Sequence, residues 1–200
     1  MATDPVEILN RRNTEVAKIR GFADLTEEAQ QRRIAEVNER AQAEYAEAIE
    51  ANERERAERL ERSQKDVFRI PIPYSATDGE AAQILSSYRA ARTDIEYAIA
   101  PALGTDPNHT QEKLEGFLKQ AELTQDPELA RAAYHVAIKH GVLSVVDVYL
   151  STRPQENKAW ERYTAAQEEA SHASSIGGLL ERALTERALS SVEQPSEFAG

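Results

Sequence analysis

Apolar side chains recur along this chain at three- and four-residue intervals, in stretches separated by Gly, Pro and helix-capping residues, which predicts helices from end to end. Asp4-Pro5 opens the first, with Asp as N-cap and Pro at the first helical position. It runs through Val6, Leu9, Val16 and Ile19 to about Arg20, where Gly21 ends it. Thr26 then caps a helix reaching Asp66 without a Gly or Pro, its dipole favoured by Glu27 and Glu28 at the start. At 1.5 Å per residue that helix extends roughly 60 Å. Its first half carries a narrow apolar stripe of Ile34, Val37, Ala41, Tyr45, Ala48 and Ile49. The eleven-residue spacings Ile34 to Tyr45 and Ile49 to Leu60 favour a nearly straight path over a left-handed zipper.

The second half of the long helix has only Ala51, Ala57 and Leu60 as apolar residues, but its charges are ordered. Glu50/Arg54, Glu55/Arg59, Glu58/Arg62 and Glu61/Lys65 are acid-before-base pairs at i,i+4, each contributing about 0.3–0.5 kcal/mol. Such a segment is either a solvated strut or a surface for a charged partner or a second copy. Pro71 and Pro73 cannot continue the helix, and they force Ile70 and Ile72 into extended conformations. The segment Val67 to Tyr74, with Phe68, Ile70, Ile72 and Tyr74, is the most apolar and β-prone of the chain. It reads either as a connector lying on the C-terminal helices or as an arm for another protein's groove or sheet edge.

Beyond it, Thr77 and Glu80 have capping-box spacing and open a helix from about Asp78 to Ala100, with Ala81, Ile84, Leu85, Tyr88, Ala91, Ile95, Ala98 and Ile99 as its core stripe. A loop from Pro101 to Pro107 leads to a helix capped by Thr110 and carrying Leu114, Phe117, Leu118 and Ala121. Asp126-Pro127 starts the next, which turns Leu129, Ala133, Val136 and Ala137 inward, with Tyr134 and Ile138 as further candidates, and closes at Gly141. The run Val142 to Leu150 is β-branched enough for a strand, yet no second strand is visible to pair with it, so a short buried helix is expected. Pro154 opens a helix with Ala159, Trp160, Tyr163, Ala166 and Ala170. Gly177-Gly178 reads as a hinge before a last amphipathic stretch, Leu179 to Leu189, and a disordered tail. The expected fold is all-α: an N-terminal helical arm (1–66), an extended Pro-containing connector (67–76), a helical bundle (77–190) and a tail (191–200).

Composition narrows function more by exclusion than by pointing. The 200 residues are 40% hydrophobic and 30% charged, with net charge −11. Residues 1–66 hold 12 Lys+Arg against 16 Asp+Glu, leaving 12 against 19 for the remainder. Neither part carries the basic footprint that phosphate neutralisation requires, so nucleic acid is not an expected partner. The absence of cysteine removes disulfides, thiol catalysis and Cys-based metal sites. No apolar stretch is long enough for a membrane span, and the opening residues lack the apolar core of a secretory signal, so a soluble, cytoplasmically made protein is expected.

Candidate chemistry is sparse. Glu169 and His172 form an i,i+3 Glu-x-x-His on a helix, but di-iron bundles need two such motifs and further inward glutamates, so a surface pair is expected. His135 and His140, five apart, lie about 140° round a helix and do not converge. No Ser-His-Asp context or Gly-rich phosphate loop is present in the sequence. Trp160, Tyr163 and Tyr149 read as core and interface aromatics rather than a binding cage. No catalytic residue, cofactor or metal ligand is assigned.

The stretch GFADLTEEAQQRRIAEVNERAQAEYAEA, Gly21 to Ala48, resembles the N-terminal helices of small helical proteins encoded among the virion-assembly genes of tailed bacteriophages of actinobacteria. The resemblance is one of Ala/Glu/Arg helix style and carries no functional residues. It implies a virion structural or assembly protein, located in the virion if phage-encoded and otherwise in the cytoplasm. The residues expected to contact a larger symmetric assembly, or another copy, are Ile34, Val37, Ala41, Tyr45 and Ile49 on the helix stripe, with Phe68, Ile70, Ile72 and Tyr74 on the connector. The competing expectation is a bacterial coiled-coil adaptor or regulator.

Overall fold

A computed structural model describes residues 4–175, 178–179, 182–185 and 187. It is all-α, with no strand among the described residues. Along the described residues run α1 (Pro5–Arg20), α2 (Glu27–Val67), α3 (Asp78–Ile99), α4 (Pro107–Thr124), α5 (Pro127–Lys139), α6 (Leu143–Leu150) and α7 (Pro154–Ser174), with a 3-10 turn at Ala100–Ala102. The described residues from 178 to 187 are also helical. The remainder of the Leu179 to Leu189 stretch, Gly177 of the expected hinge, and the expected tail lie outside the described residues.

Local chemistry sets the helix starts. Asp4, Asp106 and Asp126 each precede a proline and accept a backbone N–H from Val6, His109 and Leu129 respectively. Each aspartate thereby satisfies one of the N–H groups that a helix start leaves without a partner. Thr77 and Glu80 form the full reciprocal capping box. The start of α4 corrects the expectation of a Thr110 cap: Asp106-Pro107 begins the helix earlier, and Thr110 is buried inside it. Val142 to Leu150 yields α6, a helix despite its β-branched composition.

The ends of α4 and α5 are closed by left-handed residues. Gly141, at φ +69°, sits in a Schellman turn in which Val142 N–H donates to Ala137 and Gly141 N–H to Ile138. The end of α4 has the same pair of bonds, Asp126 to Ala121 and Gln125 to Glu122. Here, however, the left-handed position is held by Gln125, at φ 52°.

The chain divides into two compact units, Met1–Arg62 with Thr164–Gly200, and Ser63–Tyr163. Helices α2 and α7 each contribute to both. In the first unit α1 packs on the first half of α2 through two small clusters, one around Val16, Ile19, Ile34 and Val37 and one around Ile8, Ala41, Tyr45 and Ala48. Asn38 is buried among these residues and accepts from Arg12 Nε at 2.8 Å. Arg11 pairs with Glu44 and Arg40 with Glu15. Gly178 is set by close approach: a Cβ there would meet the His172 carbonyl oxygen at 2.7 Å and that of Ala173 at 2.9 Å.

In the second unit α5 packs against α3, α4 and α6. Every residue from Ala132 to Ala137 is buried, as a helix enclosed by neighbours requires. Tyr134 stacks on Tyr149 of α6 with ring centroids 4.3 Å apart, and Ile95, Ile99, Leu114 and Val145 complete the core.

Replacing Gln125 by Gly removes the cost of a side chain at positive φ without touching the core. Gln125→Gly is expected to stabilise the protein by about 0.5–1 kcal/mol, read as a raised midpoint in urea unfolding at unchanged slope.

Candidate functional site

A row of polar side chains lies along one face of α5. Glu128, Arg131 and His135 fall at i, i+3 and i+7, a spacing that aligns side chains on a helix. Two of the three end on backbone carbonyls where the chain leaves α2. His135 Nε2 lies 3.1 Å from the Val67 carbonyl oxygen, and Arg131 Nη1 lies 3.2 Å from that of Arg69. The Val67 carbonyl closes a helix that the following prolines cannot prolong, so it has no further turn to bond to. His135 supplies its missing donor.

The chemistry of the partners fixes the imidazole. A carbonyl can only accept, so Nε2 carries the proton and donates to Val67. In the neutral ring Nδ1 is then an acceptor, and the Tyr88 hydroxyl of α3 donates to it at 2.7 Å. The ring is 2% exposed and is packed by Phe68, Tyr88 and Tyr134 at centroid distances of 5.1, 5.6 and 5.3 Å. Burial, reinforced by the Arg131 and Arg92 guanidiniums, pushes the His135 pKa down to about 4, against the opposing bond to Val67.

Arg131 is mostly buried and also donates to Glu156 of α7 at 2.9 Å, so it joins the connector carbonyl, α5 and the start of α7. Beside it, Phe68 meets Tyr163 edge-on at 6.5 Å. Lys139 of α5 and Arg92 of α3 both reach Glu96, at 3.0 and 3.2 Å.

These bonds divide the connector. Val67 is buried, and Phe68 and Ile70 pack against the core. Ile72 is 38% exposed and Tyr74 fully exposed. The chain then turns, with Ala76 N–H donating to the Pro73 carbonyl at 3.0 Å, and enters α3. The four connector residues singled out from the sequence thus fall into an inner pair, Phe68 and Ile70, and an outer pair, Ile72 and Tyr74.

The helix-stripe residues lie within the first unit. Ile34, Val37, Ala41 and Tyr45 are buried in the clusters shared with α1, and Ile49 is half-buried beside them. Tyr45 and Ile49 also border an open groove of about 790 Å³, whose other wall comes from Ala170 and Ala173 of α7 and from Leu179. Glu53 and Arg182, both lining residues, pair across it at 2.7 Å; Arg59 of α2 pairs with Glu169 at 2.8 Å and with Glu55 of its own helix at 3.1 Å. The Glu55/Arg59 pair expected from spacing is therefore formed, while Glu169 is engaged by guanidinium rather than by His172. No group of three His, Asp or Glu residues suited to a metal ion occurs among the described residues. None of the described helices is long and apolar enough to cross a membrane.

Sequence reasoning weighed His135 only as a partner of His140 and passed over Arg131. The available signal was the i, i+3, i+7 row of polar residues on an otherwise apolar helix. Comparison of the chain with family models, curated proteins and solved structures finds no match in any of the three.

Two expected outcomes follow from the His135 geometry. Tyr88→Phe leaves Nδ1 buried without a donor and is expected to cost about 1–3 kcal/mol of stability. Because the folded-state pKa lies below the unfolded value, the unfolded chain binds the extra proton. Stability from neutral His135 is therefore complete above about pH 6.5 and is lost as pH falls towards about 4. Relative to wild type, His135→Gln should lack a decline on the order of 3 kcal/mol across that window, measured by urea unfolding at a series of pH values.

Proposed function

We propose that this chain is a non-enzymatic structural or assembly protein that acts by contacting other proteins, and more narrowly a capsid- or connector-associated component of a bacteriophage virion. The observation that carries the contact role is the outer half of the connector. Ile72 and Tyr74 are exposed, yet the chain just before them is held by the bonds to the Val67 and Arg69 carbonyls, and Pro71 and Pro73 restrict the segment itself. An apolar tip ordered before it meets a partner loses little conformational freedom on docking, so more of its burial is available as affinity. Tyrosine suits such a tip because it combines a large apolar surface with a hydroxyl.

The apolar stripe of α2 supports the same division of labour. Ile34, Val37, Ala41 and Tyr45 are occupied by α1, which leaves the tip as the more accessible apolar feature. The narrower, virion reading rests on the Ala/Glu/Arg style of Gly21 to Ala48.

The test is size fractionation of lysate from the native source with a tagged chain. Wild type is expected in an assembly far larger than one 200-residue chain. The Ile72→Asp/Tyr74→Asp double variant should remain in the small fraction with unchanged melting. A wild-type chain found only in the small fraction contradicts the proposal, as does a double variant that travels with the assembly. A purified chain that is a stable dimer and enters no larger assembly favours the cytoplasmic adaptor.

A further inference from the structure

Of the three polar side chains in the α5 row, Arg131 and His135 end on connector carbonyls, but Glu128 does not. Glu128 instead lines a recess of about 380 Å³ with Pro73 and Ala76 of the connector and Glu80 and Ile84 of α3. The two carboxylates come from different helices, and neither is ion-paired among the described residues. Glu80 accepts from the N–H and hydroxyl of Thr77 through one oxygen, Oε2, at 2.7 and 2.9 Å. Pro73 and Ser75, the chain neighbours of the exposed Tyr74, line the recess.

We propose that the recess and the adjoining Ile72-Pro73-Tyr74 tip form one docking surface for a segment of another protein that presents a lysine or arginine beside an apolar side chain. The inference rests on the reading of the tip as a contact element and specifies the chemistry of its partner. The aliphatic stem of the basic residue lies along Pro73, Ala76 and Ile84, and its head reaches Glu80 and Glu128. The Tyr74 ring offers the neighbouring apolar contact and a face attractive to a cation. Charge decides against a second copy: two such surfaces face to face bring four carboxylates together in a molecule of net charge −11.

The test uses the immobilised full-length chain to select from a displayed library of random peptides. Selected peptides are expected to share a basic residue next to an apolar one. Their affinity should fall about tenfold or more with Glu128→Lys and with Tyr74→Ala, and less with Glu128→Gln. It should also fall as salt rises from about 0.05 to 0.5 M, as screening requires. Melting of each variant confirms that it is folded. Recovery of no peptide, of peptides without a basic residue, or of binding indifferent to both Glu128 variants overturns the inference. In the native source, entry of Glu128→Lys into the assembly while Ile72→Asp/Tyr74→Asp is excluded also overturns it, and leaves the role of the tip standing. Absence of any assembly removes that role, and peptide selection still decides the recess.

Discussion

The neutral imidazole of His135, donating to the Val67 carbonyl and accepting from the Tyr88 hydroxyl, is the constraint on which the second unit depends. It joins three segments distant in sequence: the last turn of α2, the middle of α3 and the centre of α5. An unmet donor or acceptor at this depth costs more than the bond itself contributes, so each partner is held in place by the penalty of leaving another unpaired. The surrounding rings of Phe68, Tyr88 and Tyr134 exclude water. That exclusion keeps the ring neutral and makes the bonding pattern specific.

The consequence reaches the connector. Once Val67 is fixed, Arg131 one helical turn along α5 meets the Arg69 carbonyl, and Phe68 and Ile70 between and beyond these points settle on the core. The prolines then carry the chain outward, so Ile72 and Tyr74 emerge from a fixed base. A flexible loop with the same side chains would have to be ordered at the moment of binding, and that cost would be drawn from affinity. In the first unit the charges of α2 answer a different need. Its apolar stripe is narrow, and bonds such as Arg59 to Glu169 and Glu53 to Arg182 hold later segments beside a helix with few apolar side chains to offer.

What the sequence disclosed was local in origin. The Asp-Pro starts of α1 and α5, the Thr77/Glu80 capping box and the turn at Gly141 are each written within a few residues, and so were legible. The α4 start was misplaced because Thr110 is also a capping residue type, and the stronger Asp106-Pro107 signal, its cap four residues earlier, was assigned to a loop. The helical state of α6 followed from its lack of any strand partner, a statement about the whole chain. The division of the connector was not legible, since Phe68, Ile70, Ile72 and Tyr74 are chemically alike and only the α5 face decides which of them turn inward. The roles of His135 and Arg131 were not legible for the same reason: their partners are carbonyls more than sixty residues away, at separations of 68 and 62, and a carbonyl leaves no mark in composition.

The most direct test of this account is nitrogen NMR of the His135 imidazole in the intact protein across a pH titration. The neutral ring should persist well below the ordinary histidine range, with the proton on Nε2, Nδ1 showing the shift of a hydrogen-bonded acceptor, and protonation appearing only near pH 4. A ring that titrates near pH 6.5, or that carries its proton on Nδ1, would contradict the claim that His135 holds the connector in place.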